Sequence, residues 1–321
     1  MVIGGERNIN PEAQENGRIW SYFDAYKQAG QGRAVARPEL GSFTHVSEES
    51  KNRDIALLER KKSKPDLRER QEGAADAFAF ENYLIAQAAE QGWFGGETVP
   101  TSEYDDWVSG VDAVLEWADD EGPLRLAVDF TAAEKDRVFF SKSDKLEGNV
   151  RVKYLRSAVE TVDGKSRELS ASMPIVLLGF DKSVFRRVAE CGGGPEIRRE
   201  LGRMLVLQAA AQVDLQIVMT VRRIFEASRA KRTAAGQEAA QAVRESGDDL
   251  TAEQAVDLVR GLDAEARDTA FSKKNLSRFL ELVRLKEKIL DSLRESARST
   301  DADPETQQLF KESKTHQILS A

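Results

Sequence analysis

The chain has 321 residues, of which 40% are apolar, 32% are charged and 7% are aromatic, and its net charge is −8. This length suffices for a sizeable core, and the composition suits a soluble protein with long exposed helices. No apolar run reaches membrane-spanning length and the N-terminus lacks the features of a secretion signal, so the sequence predicts cytoplasmic residence and no membrane partner.

The scarcity of cysteine and histidine argues against several kinds of site. Cys191 is the only cysteine, which excludes an intramolecular disulfide and a cysteine-based zinc cluster. His45 and His316 are the only histidines, which argues against histidine-ligated zinc and a Ser-His-Asp triad. Any hydrolytic chemistry must therefore rest on carboxylates, lysine and a hard metal ion.

The first 72 residues are polar and carry both charge signs with little periodicity. They predict a largely disordered arm over 1–72, apart from a short helix around Ile19, Tyr22, Phe23 and Tyr26. Within the arm, residues 51–64 hold six basic side chains against two acidic ones. This stretch is either a solvated charged helix or an arm that contacts nucleic acid.

Residues 73–190 mix helical and strand patterns and form the predicted globular α/β (α+β) domain. A helix is expected over 74–91, because Phe80, Leu84 and Ala88 recur at four-residue spacing. Alternating or continuous apolar runs predict strands in the stretches 110–131, 148–157 and 173–180.

The remainder of the chain is predicted to be helical. Residues 191–195, with the sequence CGGGP, form an expected hinge, and 191–299 form a helical extension before a polar tail over 300–321. Helices are expected over three segments, roughly 196–245, 251–270 and 273–298. The last of these carries an apolar stripe close to heptad spacing, which predicts either packing within the chain or a coiled-coil homodimer or protein partner.

The stretch 110–131 predicts a hairpin whose register can be derived from its turn. Centring the acidic turn near Asp120 and Glu121 places Asp112 opposite Asp129 and Glu116 opposite Arg125. The second pair is favourable across two strands, whereas two facing aspartates repel unless something bridges them.

A bridging Mg²⁺ (or Mn²⁺) would explain the two aspartates, because hard cations take carboxylate oxygens. Glu81, on the preceding helix, is the best third candidate ligand, whereas Glu116 lies about 13 Å along the strand from Asp112 at ~3.3 Å per residue. The alternative is that Asp112 and Asp129 are strand-end carboxylates bonded to backbone amides or to a nearby arginine.

The order of these elements resembles the PD-(D/E)XK nuclease superfamily over about residues 75–190. The resemblance is carried by a helix with Glu81, a strand with Val111-Asp112, a strand ending in Asp129-Phe130-Thr131, a third strand and a later strand–helix unit. It implies a restriction-endonuclease-like mixed sheet flanked by helices. It also implies that Asp112, Asp129 and Glu81 hold the metal for hydrolysis of DNA phosphodiester bonds.

Two positions depart from the family pattern. Val111 replaces the usual proline, and Thr131 occupies the position of the lysine that orients or activates water in the family. The candidate substitutes are Lys142, Lys145 and Lys153. Lys153 is the best placed of them, because its strand could lie beside the second strand with this side chain on the polar face.

Three functions therefore stay open. The first is a metal-dependent endonuclease or exonuclease, with the arm at 51–64 and a basic cluster on a later helix following the DNA backbone; that cluster is Arg222, Arg223, Arg229, Lys231 and Arg232. The second is a catalytically inactive relative that serves as a scaffold, with Thr131 marking the loss. The third is an unrelated α+β interaction module. The nine acidic residues between 97 and 121, with no lysine or arginine among them, disfavour nonspecific nucleic-acid binding on that face.

Overall fold

The computed structural model describes residues 36–63, 80–132, 146, 148–180, 184, 188, 194–226 and 233–298. Several features expected from the sequence lie outside these residues: the short helix near Ile19, the substitutes Lys142 and Lys145, Cys191, the basic residues 229–232 and the tail over 300–321.

The described residues include seven α-helices and five strands. The helices are α1 Glu48–Lys62, α2 over 80–91, α3 Pro195–Glu226, α4 Ala234–Ser246, α5 Ala252–Arg260, α6 Ala264–Ala270 and α7 Lys273–Arg298. The strands are β1 Glu97–Pro100, β2 Ala113–Trp117, β3 Leu124–Ala132, β4 Asn149–Val162 and β5 Lys165–Phe180. The mixed α/β class and the helical C-terminal part are thereby confirmed.

The five strands form one curled mixed sheet. Its order is β1-β2-β3-β5-β4, and only the β3–β5 pair is parallel. The long β4–β5 hairpin has register irregularities, which increase local twist and bend the strands. The hairpin contributes apolar side chains to a small core on one face of the sheet, which contains Val111, Val114, Ala127, Val152, Leu155, Met173 and Ile175.

The predicted β2–β3 register is confirmed. Ala113 faces Val128 and Glu116 faces Arg125, and the Arg125 Nε atom lies 2.7 Å from Glu116 Oε1. The apolar residues that alternate along the two strands share one face, because they all join the main core: Ala113, Leu115, Trp117, Leu124, Leu126, Val128 and Phe130. The turn chemistry and the alternation of apolar residues therefore determine this hairpin.

Helix α3 covers an edge of strand β5 through three buried glutamines. Each amide side chain bonds to the backbone of one residue of the strand, and the pairs are Gln208 with Gly179, Gln212 with Leu177, and Gln216 with Ile175. Four helical residues rise about 6 Å and two strand residues about 6.6 Å, so glutamines at every fourth position match alternate strand residues. The helical extension therefore folds back onto the sheet. We call this arrangement the glutamine ladder.

Helix α3 is also the one helix in the described part of the chain that is long and apolar enough to cross a membrane. However, 67% of its most apolar window is buried against the rest of the protein. A core helix passes the same test of length and composition, and the packing of α3 on β5 and α7 accounts for its apolar character.

The C-terminal helices differ in two places from the expected segments. Instead of one helix over 196–245, the chain is extended at Thr233, and a new helix, α4, begins after this residue, whose hydroxyl caps it. The segment 251–270 is divided at Gly261–Asp263, where the Asp263 side chain caps α6. The apolar stripe of α7 packs mainly within the chain, since Phe279 is buried and Leu276, Val283 and Leu293 pack against the main core.

Residues 36–63 of the arm are structured, in contrast to the expected disorder over 1–72. Residues 36–63 contain a short 3₁₀ turn at Leu40–Ser42 and helix α1, which Ser47 caps. Leu40, Phe43 and Val46 form a small core with Tyr154 of β4. This core explains the difference, because it depends on contacts with the distant Tyr154, and three apolar residues are too few to establish a helical or strand period in the sequence. We call residues 36–63 the N-terminal strap.

Candidate active site

Four carboxylates from different elements influence one another at one end of the β2–β3 hairpin. Asp112 immediately precedes β2, Asp129 lies on β3, Glu81 lies on α2, and Asp106 lies in a π-helical turn at Asp105–Ser109. The charges of Asp106, Glu81 and Asp129 all act on Asp112. We call these four residues the acidic cluster. The charges of Glu81 and Asp129 therefore act on Asp112, as the charge of Asp106 also does, while the assignment of Asp112, Asp129 and Glu81 as metal ligands stays a prediction.

Asp112 is the most constrained member of the cluster. Its backbone amide donates to the Val128 carbonyl at 2.8 Å, and its Oδ2 atom accepts from the Phe130 amide at 2.7 Å. Its Oδ1 atom lies 3.6 Å from Arg37 Nη2, and the residue is only 6% exposed. Asp112 therefore has the backbone bond and the nearby arginine that the alternative to a metal ligand anticipated. A carboxylate held in this way is also rigidly oriented.

The electrostatics of the cluster favour uptake of positive charge. Burial raises the pKa of Asp112 well above its ordinary range, and the charges of Asp106, Glu81 and Asp129 raise it further, while Arg37 opposes them. Burial also raises the pKa of Asp106, against the lowering effects of Arg37 and of a hydrogen bond with Asp112. Two carboxyl groups can share a hydrogen bond only when one is protonated. The pair therefore holds a proton or another cation more readily than isolated carboxylates do.

Asp105 fixes the turn that presents Asp106. Its fully buried carboxylate accepts from the backbone amides of Lys153 and Tyr154 at 2.8 and 2.9 Å, and from the Ser102 hydroxyl at 2.9 Å. Burial raises the pKa of Asp105, although these three bonds act in the opposite direction. The turn ends at Gly110, whose φ of 63° lies in the left-handed region that glycine adopts without strain.

The side chain of Lys153 lies in a different ion pair. Its Nζ atom bonds to Asp54 and, at 2.8 Å, to the Ser50 hydroxyl, both on α1. The same atom lies 5.7 Å from the ring centroid of Tyr104 and 5.6 Å from that of Tyr154. The structure therefore joins the Lys153 ammonium group to the N-terminal strap, while its backbone amide bonds to Asp105 beside the cluster.

Thr131 occupies the position of the motif lysine, and its side chain is buried on β3. It faces Gly179 of β5 in the parallel register. A Cβ atom at position 179 would overlap the Thr131 carbonyl, so only glycine lets the two strands approach this closely.

The donor chemistry of the acidic cluster suits Mg²⁺ or Mn²⁺, which bind carboxylate oxygens. Among the residues that the structure describes, however, no group of three or more His, Cys, Asp or Glu side chains is arranged as a metal-binding group. Arg37 accounts for part of this arrangement, because its guanidinium contacts both Asp106 and Asp112. The donor type and the charge of these carboxylates suit a hard cation, but the Arg37 guanidinium already lies against two of them.

Sequence reasoning missed Asp106 and Arg37. The pair Asp105-Asp106 was visible as two acids shortly before Asp112, but only the packing of the turn shows that one is a scaffold residue and the other a member of the cluster. Arg37 carried no signal, because it lies in a segment without periodicity.

Part of the basic stretch at 51–64 is committed to contacts within the chain. Lys51 pairs with Glu48 at 2.5 Å, and Lys62 pairs with Glu103 at 2.5 Å. Lys61 donates to the Trp107 carbonyl at 2.9 Å. The contacts of Lys61 and Lys62 dock α1 onto the segment that carries Asp106, and all three contacts reduce the charge that this helix presents to a phosphate backbone.

Comparisons with known proteins add no relative to this description. No family model matches the chain, and neither the curated proteins nor the solved structures show a significant similarity to it. The function of the chain must therefore be inferred from the residues themselves.

Proposed function

We propose that the acidic cluster is the catalytic centre of a cytoplasmic, metal-dependent nuclease that hydrolyses DNA phosphodiester bonds. The observation that supports the proposal is the buried Asp112, on which the charges of Glu81, Asp106 and Asp129 act. Each of the other three carboxylates acts on Asp112 and helps to raise its pKa. Like charges brought together in a buried place raise the free energy of the fold, which is typical of functional sites.

Each residue has a distinct role in this proposal. Asp112 and Asp129 hold Mg²⁺ or Mn²⁺ through carboxylate oxygens, and Glu81 assists them from α2. A cation bound there supplies charge neutralisation at the scissile phosphate and Lewis acidity. The bond from the Phe130 amide keeps the Asp112 carboxylate oriented without a change of rotamer.

Proton transfer from the attacking water falls to Asp106 in the proposal. Its carboxyl group has a raised pKa, which suits a general base better than an ordinary aspartate. Lys153, the lysine expected from the sequence, takes part only if its ammonium group leaves Asp54.

A second candidate function is a catalytically inactive nuclease-like scaffold that binds a partner or dimerises through its C-terminal helices. It is favoured by the buried threonine at the motif-lysine position and by the engagement of Lys153 with Asp54. The exposed Leu280 on α7, at 50% exposure, offers one apolar contact for such a partner.

The deciding experiment incubates the protein with supercoiled, linear and single-stranded DNA in the presence of Mg²⁺ or Mn²⁺. The Asp129→Asn variant should lose cleavage, since it removes one of the two central carboxylates. The matched control is Asp163→Asn, an exposed aspartate in the β4–β5 turn with φ of 53°, a conformation that asparagine tolerates. This control should cleave like the wild type.

Each outcome separates the candidate functions. Metal-dependent cleavage that disappears in Asp129→Asn but not in Asp163→Asn supports the nuclease. A metal-dependent rise in melting temperature without cleavage of any DNA substrate supports the inactive scaffold. If the protein shows no cleavage and no metal-dependent thermal shift, the metal site is refuted, both as the centre of an active nuclease and as part of an inactive scaffold.

A further inference from the structure

The guanidinium group of Arg37 lies inside the acidic cluster. Its Nη1 atom is 3.1 Å from Asp106 Oδ2, and its Nη2 atom is 3.6 Å from Asp112 Oδ1. The side chain is only 15% exposed. A cationic group of the chain itself therefore lies within ion-pair distance of two carboxylates of the acidic cluster, one of which the proposed function uses as a metal ligand.

The fit of this arginine is loose. Among the described residues, the buried Nη1 atom has no partner with hydrogen-bond alignment, although the Asp106 oxygen lies close to it. The distance of 3.6 Å to Asp112 exceeds hydrogen-bond length. Arginine forms strong bidentate pairs with carboxylates when the geometry allows it, and here it does not. At these two contacts with described residues, charge rather than directed bonding attracts Arg37, so a small divalent cation can compete with it.

A second ion pair joins the N-terminal strap to β4 beside the acidic cluster, and in this pair the strap contributes the negative charge. Asp54 of α1 binds the Lys153 ammonium group, and its Oδ2 atom also accepts from the Tyr154 hydroxyl at 2.5 Å. The strap thus places the cationic Arg37 against the acidic cluster and pairs its anionic Asp54 with Lys153, the lysine that the sequence predicts for catalysis.

The strap rests on few apolar contacts. Its core consists of Leu40, Phe43 and Val46 against Tyr154, with Tyr104 packed beside them. Polar contacts supply the rest, such as the bond from the Thr44 amide to Glu168 Oε2 at 2.6 Å. A segment with a small core and many polar contacts opens at a lower free energy than the main core does.

We propose that the N-terminal strap is an autoinhibitory element that closes the acidic cluster with Arg37 and withholds Lys153 through Asp54. This inference rests on the proposed function. Release of the strap frees the carboxylates for a divalent cation and frees the lysine beside them. Because binding and release are linked, cation binding and strap docking oppose each other.

The test measures Mn²⁺ affinity by isothermal titration calorimetry on the full chain. Arg37→Gln should bind Mn²⁺ about tenfold more tightly than the wild type, the factor expected if the closed form makes up roughly nine-tenths of the population. The matched control is Arg53→Gln, an exposed arginine on α1, which should leave the affinity unchanged.

Asp54→Asn provides the more discriminating variant. Removing a carboxylate and leaving Lys153 with its positive charge should weaken cation binding if only simple electrostatics acts. Because Asp54 instead anchors the strap, the inference predicts that this variant binds Mn²⁺ more tightly. Asp54→Asn also provides a separate test of the inference if the Arg37→Gln variant does not fold.

The outcomes distinguish the inference from the proposed function. Tighter Mn²⁺ binding in Arg37→Gln and Asp54→Asn, with Arg53→Gln unchanged, supports the autoinhibitory strap. If the wild type binds Mn²⁺ and both test variants bind it with equal or weaker affinity, the autoinhibitory strap is refuted and the metal site is retained. No Mn²⁺ binding by any variant overturns both the strap and the metal site.

Discussion

The glutamine ladder predicts that Gln212→Leu destabilises the protein. On hydrophobicity alone the opposite is expected, because leucine has a similar size and position 212 is buried on an apolar helix. The ladder reverses the expectation, since Gln212 accepts from the Leu177 amide at 2.7 Å and donates to the Leu177 carbonyl at 2.6 Å. Leucine can do neither.

The size of the effect follows from these two bonds. Each buried backbone group left without a partner costs about 1–3 kcal/mol, or about 2–6 kcal/mol for the pair. The added apolar burial of leucine offsets about 1.5–3 kcal/mol of this cost. A net loss of about 2 kcal/mol remains, which corresponds to about 4–8 °C in melting temperature for a chain of roughly 150–250 residues and somewhat less for a longer chain.

Urea unfolding followed by circular dichroism measures this loss directly. The control is Gln241→Leu on α4, where the exposed amide donates to Glu245 at 2.6 Å and no backbone group depends on it. That change should alter the unfolding free energy by less than about 0.5 kcal/mol. A Gln212→Leu variant as stable as the wild type, or more stable, would refute the ladder as a stabilising feature.

Two further predictions concern the site and the sheet that supports it. Burial and neighbouring carboxylates raise the pKa of Asp112 in the folded protein above the ordinary 3.8 that it has in the unfolded chain. Above about pH 4 the unfolded chain therefore loses this proton more easily than the folded protein, which lowers stability. Asp112→Asn removes this effect and should raise the melting temperature by a few degrees at about pH 7.5. The difference should shrink towards about pH 4, and a variant that melts lower than the wild type at about pH 7.5 would contradict the assigned electrostatics. Gly179→Ala should cost about 3 kcal/mol in urea unfolding, because its Cβ would overlap the Thr131 carbonyl. Gly148→Ala is the control, since nothing lies within 4 Å of a Cβ at that position; equal stability of the two variants would show that β3 and β5 separate without strain.

The hairpin could be predicted from the sequence because its information is local. The acidic turn and the alternation of apolar residues determine which residues face each other, and the observed pairs of Glu116 with Arg125 and of Ala113 with Val128 follow that register. The same logic placed Asp112 and Asp129 at one end of the hairpin. Glu81 could be nominated because its helix precedes the hairpin in the chain.

The remaining parts of the site depend on contacts between distant segments. Arg37 reaches Asp112 from 75 positions earlier in the chain, and Asp54 binds Lys153 across 99 positions. No periodicity within either segment encodes these pairs. The expected role of Lys153 assumed that its side chain lies on the same face as the aspartates, and the competing anion on α1 could not be foreseen without the packing of the strap.

The glutamine ladder also restricts how this protein can change in evolution. A deletion or insertion of one residue between positions 208 and 216 would rotate the following glutamine about 100° away from β5, so length changes within this segment should be excluded while substitutions outside the ladder are tolerated. A helix with glutamines at three successive fourth positions, next to an apolar strand with glycine opposite the first of them, is therefore a structural signature. Distant relatives should be detectable by this pattern after the rest of their sequence has diverged.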